Sequence, residues 1–210
     1  MSGYTLAAKE ITKTFGRRLI FEGISFSYEE NGVIGISGPN GSGKSTLVKI
    51  IADLLSPTKG KIIHKYQEKG IIPEKLHNHI GFVSPYLILY EEFSAWENLN
   101  YFAKIRGVKF EKERIEKLLD HFLLLNRKDD LVKAYSSGMK QRMKFIFALM
   151  HDPELLILDE PTSNLDVEGK NSVYKLVKEE SKNNIVIVAS NETADLDLCG
   201  DVIHLEKYKS

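Results

Sequence analysis

Gly38-Pro39-Asn40-Gly41-Ser42-Gly43-Lys44-Ser45-Thr46 is the stretch on which the reading of this chain turns. Its first eight residues satisfy the pattern G-x-x-x-x-G-K-[ST]. A short apolar run, Val33-Ile34-Gly35-Ile36, precedes it. After it, Leu47, Ile50, Ile51, Leu54 and Leu55 fall on one face of a helix running to Leu55. Strand, glycine-rich loop and helix is the order that a phosphate-binding loop requires. The glycines let backbone N–H groups turn inward around phosphate oxygens, and the helix starting near Lys44 adds its positive dipole end. The Lys44 ammonium can reach β- and γ-phosphates, and the Ser45 hydroxyl can ligate Mg²⁺.

Upstream, residues 5–15 and 20–28 mix β-branched and aromatic residues with polar ones around a Gly16–Arg18 turn, which predicts a pair of strands. Downstream, residues 59–84 predict two or three more strands, ending in Ile80-Gly81-Phe82-Val83. From about 86 to 150 the period becomes helical. Ser94-Ala95-Trp96-Glu97 has the form of a capping box, with Trp96, Leu99, Phe102 and Ala103 as the buried face. A second helix carries Ile115, Leu118, Leu119 and Phe122 as its stripe, with Glu113 four residues ahead of Lys117, and its charge run is a solvated face. A third covers 137–150. Alternation then returns: strand Leu155–Asp159, helix 166–182, strand Ile185–Ala189, a short helix, and strand Val202–Leu205.

Leu155-Leu156-Ile157-Leu158-Asp159-Glu160 is a buried strand ending in two acids. Four consecutive apolar residues place it inside a parallel sheet covered on both faces, where ligands bind at the carboxyl ends of strands. Asp159 is suited to hold Mg²⁺, usually through water, and Glu160 to take a proton from a water attacking the γ-phosphate.

The remaining composition excludes several classes. Among 210 residues, 29 Lys and Arg balance 29 Asp and Glu, so no global basic excess marks a nucleic-acid binder. Residues 86–150 hold twelve basic and nine acidic residues, too mild an excess for such a footprint. The 42% of hydrophobic residues argues against disorder. One cysteine, Cys199, leaves no internal disulfide and favours a reducing compartment. No apolar run approaches the roughly 18–20 residues of a membrane helix. The N-terminal stretch lacks a secretory apolar region, because Lys9 and Glu10 interrupt it. His77-Asn78-His79 has no accompanying cysteine or acidic cluster and is expected to be a loop rather than a metal pair. No N-K-x-D guanine motif points to a GTPase.

Together, the phosphate loop, Tyr135-Ser136-Ser137-Gly138-Met139-Lys140-Gln141-Arg142, the LLILDEP run through Pro161, and Ser163-Asn164-Leu165-Asp166 resemble an ABC-type ATPase cassette. The resemblance runs from about residue 4 to 206, and the compact size is similar to export-type cassettes, including the haem-exporter kind. It implies an α/β fold: a P-loop NTPase core with a mostly parallel sheet, an N-terminal antiparallel β-subdomain and a helical insert. One domain would span 1–210, its core formed by 1–85 and 151–210 and its helical subdomain by about 86–150.

The resemblance also implies a mechanism. ATP and Mg²⁺ bind on the phosphate loop, residues Gly38, Pro39, Asn40, Gly41, Ser42, Gly43, Lys44, Ser45 and Thr46. A second cassette, identical or different, covers the nucleotide with its own signature helix, to which Ser136 and Gly138 belong. Ser136 suits an N-cap, so a helix N-terminus would face the γ-phosphate in trans. Phe15 would stack on adenine, Asp166 would help join the halves, and Glu160, Lys44 and Asn191 would carry catalysis. The expected partners are an integral membrane transporter subunit and the second cassette, with no nucleic acid. The location would be cytoplasmic, at the inner face of the membrane through that subunit. A regulatory ABC ATPase acting on ribosomes or DNA is the alternative.

Two positions depart from the family. Pro85 stands where a Gln usually follows the strand ending near Val83, and proline has no side-chain donor or acceptor. Asn191 stands where a His usually contacts the γ-phosphate; its amide donates one hydrogen bond but carries no charge. Each loss costs roughly 10²–10³ in rate if nothing compensates. The stripe Tyr86, Leu87, Ile88, Leu89, Tyr90, Phe93 serves either as internal packing or as a groove wall for a membrane subunit.

Overall fold

The structure, a computed structural model, describes residues 3–209. Two strands, β1 (Tyr4–Phe15) and β2 (Arg18–Tyr28), form a hairpin closed at Phe15 and Arg18. With β4 (Lys59–Tyr66) and β5 (Lys69–Gly70) they build an antiparallel sheet in the order β2-β1-β4-β5. The second sheet is wholly parallel. It contains β3 (Gly32–Ser37), β6 (Ile80–Val83), β7 (Leu155–Asp159), β8 (Ile185–Ala189) and β9 (Asp201–His204), in the order β6-β7-β8-β3-β9.

The apolar runs of the parallel sheet are continuous because both faces are covered. Along β7, Leu155 and Ile157 turn to one side and Leu156 and Leu158 to the other; β8 does the same with Ile185, Ile187 and Ala189 against Val186 and Val188. The first face packs on α1 (Lys44–Ile51) and the antiparallel sheet through Tyr4, Leu6, Phe21 and Leu47. The second packs on α3 (Ala95–Arg106), α4 (Lys112–His121), α5 (Ser137–Leu149) and α6 (Val167–Glu180). The α/β architecture expected from the sequence is therefore present, antiparallel sheet and helical segment included.

Local signals worked where their chemistry was local. Ser94 caps α3 in a complete capping box: Glu97 N–H donates to Ser94 Oγ (3.1 Å) and Ser94 N–H to Glu97 Oε2 (2.8 Å). In α4, Ile115, Leu119 and the following Phe122 are fully buried. Gly81 is required by close packing, because a Cβ there would meet the Ala148 carbonyl oxygen at 2.3 Å.

One expectation needs correction, and the structure adds two details. Helix α1 stops at Ile51 rather than near Leu55, and Leu54 is 63% exposed. Asp53 adopts a left-handed φ of 58°, with Asp53 N–H bonded to Ile50 O and Leu54 N–H to Lys49 O, a Schellman stop made without glycine. Between β5 and β6 lies a short helix, α2 (Pro73–Leu76), started by Pro73. Glu113 and Lys117 form no ion pair; Lys128 instead pairs with Glu116 at 2.7 Å. The short helix after β8 is α7 (Thr193–Leu196). Among the described residues no helix is long and apolar enough to cross a membrane.

Candidate nucleotide site

The loops leaving β3, β6, β7 and β8 converge at the carboxyl ends of the parallel strands, where such sheets bind ligands. They enclose, with the β1–β2 turn, a cleft of about 800 Å³. Asn40, Gly41, Gly43, Lys44, Ser45 and Thr46 form its floor. Phe15, Glu160 and Asn191 stand in its walls, as does Pro85. Gly38, Pro39, Ser42 and Asp159 are not among the residues that line it, and neither are Ser136 and Gly138.

The loop is shaped by its own backbone. Gly43 has φ 108°, and a Cβ there would sit 2.6 Å from Ile20 Cγ2, so both conformation and space demand glycine. Helix α1 starts at the next residue, with Leu47 N–H donating to Gly43 O. The Lys44 ammonium is curled within the loop, donating to Gly38 O at 2.9 Å and pairing with Glu160 Oε1 at 3.1 Å. Ser42 is buried, with a hydroxyl that meets no partner.

Asp159 is completely buried. Its Oδ1 accepts a hydrogen bond from Ser45 Oγ at 3.0 Å, while Oδ2 is buried without a partner. Burial holds its carboxyl above the usual carboxylate range; the Ser45 hydroxyl opposes this and Glu160 adds to it. An orphaned buried carboxylate oxygen beside a serine hydroxyl is a hard oxygen donor set with capacity to spare, which fits Mg²⁺. Glu160 takes a left-handed φ of 49° and donates its N–H to Ala189 O at 2.8 Å. That conformation, uncommon for a non-glycine residue, turns its side chain toward Lys44.

Next to the cleft, the 190–195 turn is rigidly built. Asp195, 1% exposed, accepts from Thr162 Oγ1 (3.0 Å to each oxygen), Ser190 Oγ (2.7 Å) and Tyr174 OH (3.2 Å). Ser190 Oγ also accepts from Glu192 N–H at 3.1 Å, so the turn presenting Asn191 is held on both sides. Opposite, Lys144 of α5 donates to the Pro85 carbonyl at 2.6 Å, and burial pushes that lysine below its usual range. The backbone of Pro85 thus keeps a polar contact although its side chain has none.

Ser136 caps α5, accepting from Met139 N–H at 3.2 Å. Tyr135 before it is buried, and its hydroxyl donates to Arg127 O at 2.6 Å. Asp166 caps α6 through Gly169 N–H at 2.8 Å and faces Arg142 of α5 at 3.4 Å. Phe15 is half exposed, with the Lys13 ammonium 4.8 Å from its ring centroid. Arg18, Lys170, Thr162 and Glu192 also line the cleft and were not anticipated. Arg18 could have been suspected from the turn after Phe15; Lys170 sits on a helix face and carries no local signal. His79 pairs with Glu154 at 2.9 Å, and no group of three metal-ligating side chains occurs among the described residues.

This chain matches known proteins over most of its length. The ABC transporter family model matches residues 21–163. It is similar to the "Linearmycin resistance ATP-binding protein LnrL" of Bacillus subtilis (strain 168), 35% identical over 87% of the chain. It is also similar to the "Putative hemin import ATP-binding protein HrtA" of Staphylococcus haemolyticus (strain JCSC1435), 34% identical over 97% of the chain. The chain spans 60% of the length of the first relative and 98% of the second. A solved putative ABC transporter ATP-binding protein from Pyrococcus furiosus superposes with a TM-score of 0.83 at 29% identity, covering 98% of this chain and all of that one. With a phosphate loop, a buried acid strand and a capped signature helix arranged on this sheet, the chain belongs to the ABC transporter family as one of its ATP-binding cassettes.

Proposed function

We propose that this cassette binds MgATP and hydrolyses it at a head-to-tail interface with a second cassette, driving transport by an integral membrane subunit. The observation that carries the reading is the gathering of Lys44, Ser45, Asp159 and Glu160 into one group, with one carboxylate oxygen unused and the lysine held by the other acid. Ser45 and Asp159 would hold Mg²⁺, Asp159 through water; bound there, the cation neutralises charge on the β- and γ-phosphate oxygens. Gly38 to Thr46 cradle the phosphates by backbone N–H groups, and Phe15 stacks on the base. Lys44 exchanges Glu160 and Gly38 O for phosphate oxygens. Glu160, released from the lysine, takes the proton of the attacking water. Asn191 donates its amide at the γ-phosphate without adding charge, so turnover is slower than with a histidine there.

Ser136 and Gly138 lie outside the cleft of their own chain, which supports their use on a partner's nucleotide. The helices of residues 86–150 act as the subdomain that meets the membrane subunit. Ile88 and Tyr90 are 88 and 61% exposed while Leu89 is buried, so part of that stripe is free for a partner, whereas Tyr86 lines the nucleotide cleft with the Lys49 ammonium 4.7 Å from its ring centroid. The cassette then sits at the cytoplasmic face of the membrane.

The test is Glu160→Gln. Turnover is expected to fall by about 10²–10⁴, while ATP affinity holds or rises because the competing ion pair is gone, and ATP drives dimer formation. Undiminished hydrolysis in that variant would remove Glu160 from the role of base.

A further inference from the structure

Lys13 is a buried cation without an anion. It is 9% exposed, and no carboxylate among the described residues lies within ion-pair distance of it. Its ammonium has two recorded neighbours: the Ser56 carbonyl oxygen at 2.7 Å, to which it donates, and the ring of Phe15. Burying a lysine charge beside only neutral groups is unfavourable unless the surroundings use it.

The Lys13 ammonium lies over one face of the Phe15 ring. Phe15 lines the nucleotide cleft and is half exposed; Lys13 is buried and is not among the residues lining that cleft. A cation over one face draws π-electron density toward itself, which makes the opposite face less negative. That face then stacks more favourably on an electron-rich purine. The ammonium also fixes the ring's position. Its second anchor, Ser56, belongs to the loop that follows α1, the helix of the phosphate loop. The same loop is stitched to β1: Thr58 N–H donates to Thr12 O at 2.8 Å and Thr14 N–H to Thr58 Oγ1 at 3.0 Å. Base platform and phosphate cradle are thereby tied to one another through Lys13.

We propose that Lys13 is a positioning residue for the base, holding and polarising the Phe15 ring from behind. The proposal rests on the reading of Phe15 as the adenine platform. The test is a double-mutant cycle on the full chain, with Lys13→Met, Phe15→Ala and both together, measuring by calorimetry the Kd of ATP and of inorganic tripolyphosphate. Lys13→Met is expected to weaken ATP about three- to tenfold, the range of a cation–π contact, and to leave tripolyphosphate unchanged. In the Phe15→Ala background it should cost nothing further, and Lys13→Arg should restore affinity. If Lys13→Met does not fold, Lys13→Gln carries the same comparison. Equal weakening of both probes, or full loss persisting without Phe15, overturns the proposal, because the lysine would then act on the phosphates or on the fold. If Phe15→Ala weakens ATP and the lysine variants do not, the proposal alone fails. If Phe15→Ala leaves ATP binding intact, the platform reading fails and takes the proposal with it.

Discussion

Asp159, the last residue of β7, and Asp195, in α7 beyond the end of β8, are both buried carboxylates, and they are treated in opposite ways. Asp195 receives three hydroxyls, from Thr162, Tyr174 and Ser190, on its two oxygens. Asp159 receives one, from Ser45, and its second oxygen faces nothing. A buried polar group without a partner is costly, and native folds satisfy the great majority of them. The saturated acid is a piece of scaffold that braces the turn carrying Asn191. The unsaturated one keeps an unused acceptor, which under the proposed function a bound ligand would satisfy.

That contrast can be broken at either acid. The largest effect is expected on turnover in Asp159→Asn. A bound metal is worth several kcal/mol in the transition state, so the rate should drop about a thousandfold with loss of Mg²⁺ dependence. Steady-state hydrolysis across a Mg²⁺ titration measures both, and a variant that kept its Mg²⁺ response would dissolve the distinction.

Next in size is Asp195→Ala. The buried hydroxyls of Thr162 and Ser190 and the half-buried hydroxyl of Tyr174 lose their acceptor, and stability should fall by about 3 kcal/mol. Urea unfolding reads this directly. A loss below about 1 kcal/mol, the size of one ordinary hydrogen bond, would mean that the hydroxyls find other partners and that the network is not a brace.

The smallest effect concerns the stability of Asp159→Asn without nucleotide. Burial raises the carboxyl's folded pKa above its ordinary value of 3.8. Such a group favours the fold when protonated, an advantage fully present below the unfolded pKa and lost as pH rises through the folded one. The asparagine variant never ionises. It should therefore be more stable than the parent at pH 7, and the gap should close as the pH falls toward the carboxyl's ordinary value. Denaturation curves at several pH values would show it; a gap independent of pH would assign the gain to packing instead.

Much of this site is legible without coordinates. Gly38 to Thr46 and the run into Asp159-Glu160 announce themselves because glycine spacing and apolar runs are local properties. The capping box at Ser94 and the cap at Ser136 belong to the same class. The stop of α1 was missed because its left-handed residue is Asp53, where a glycine would have been the visible sign. The stripe from Tyr86 to Phe93 left two uses open, and only packing separates Leu87 and Leu89, which turn inward, from Tyr86, Ile88 and Tyr90, which do not.

What the sequence determined by itself is the chemistry on offer: a phosphate loop, two acids at a strand end, an aromatic at the end of the first strand and a capped signature helix, each encoded within a few residues. Which of these groups meet was decided by the tertiary structure. Ser45 reaches Asp159 across 114 residues of chain, and Thr162 reaches Asp195 across 33. Those meetings exist because β7 lies beside β8, and β8 beside β3, in the parallel sheet. Strand order is a product of how apolar faces bury one another over the whole molecule, and no short window of sequence contains it.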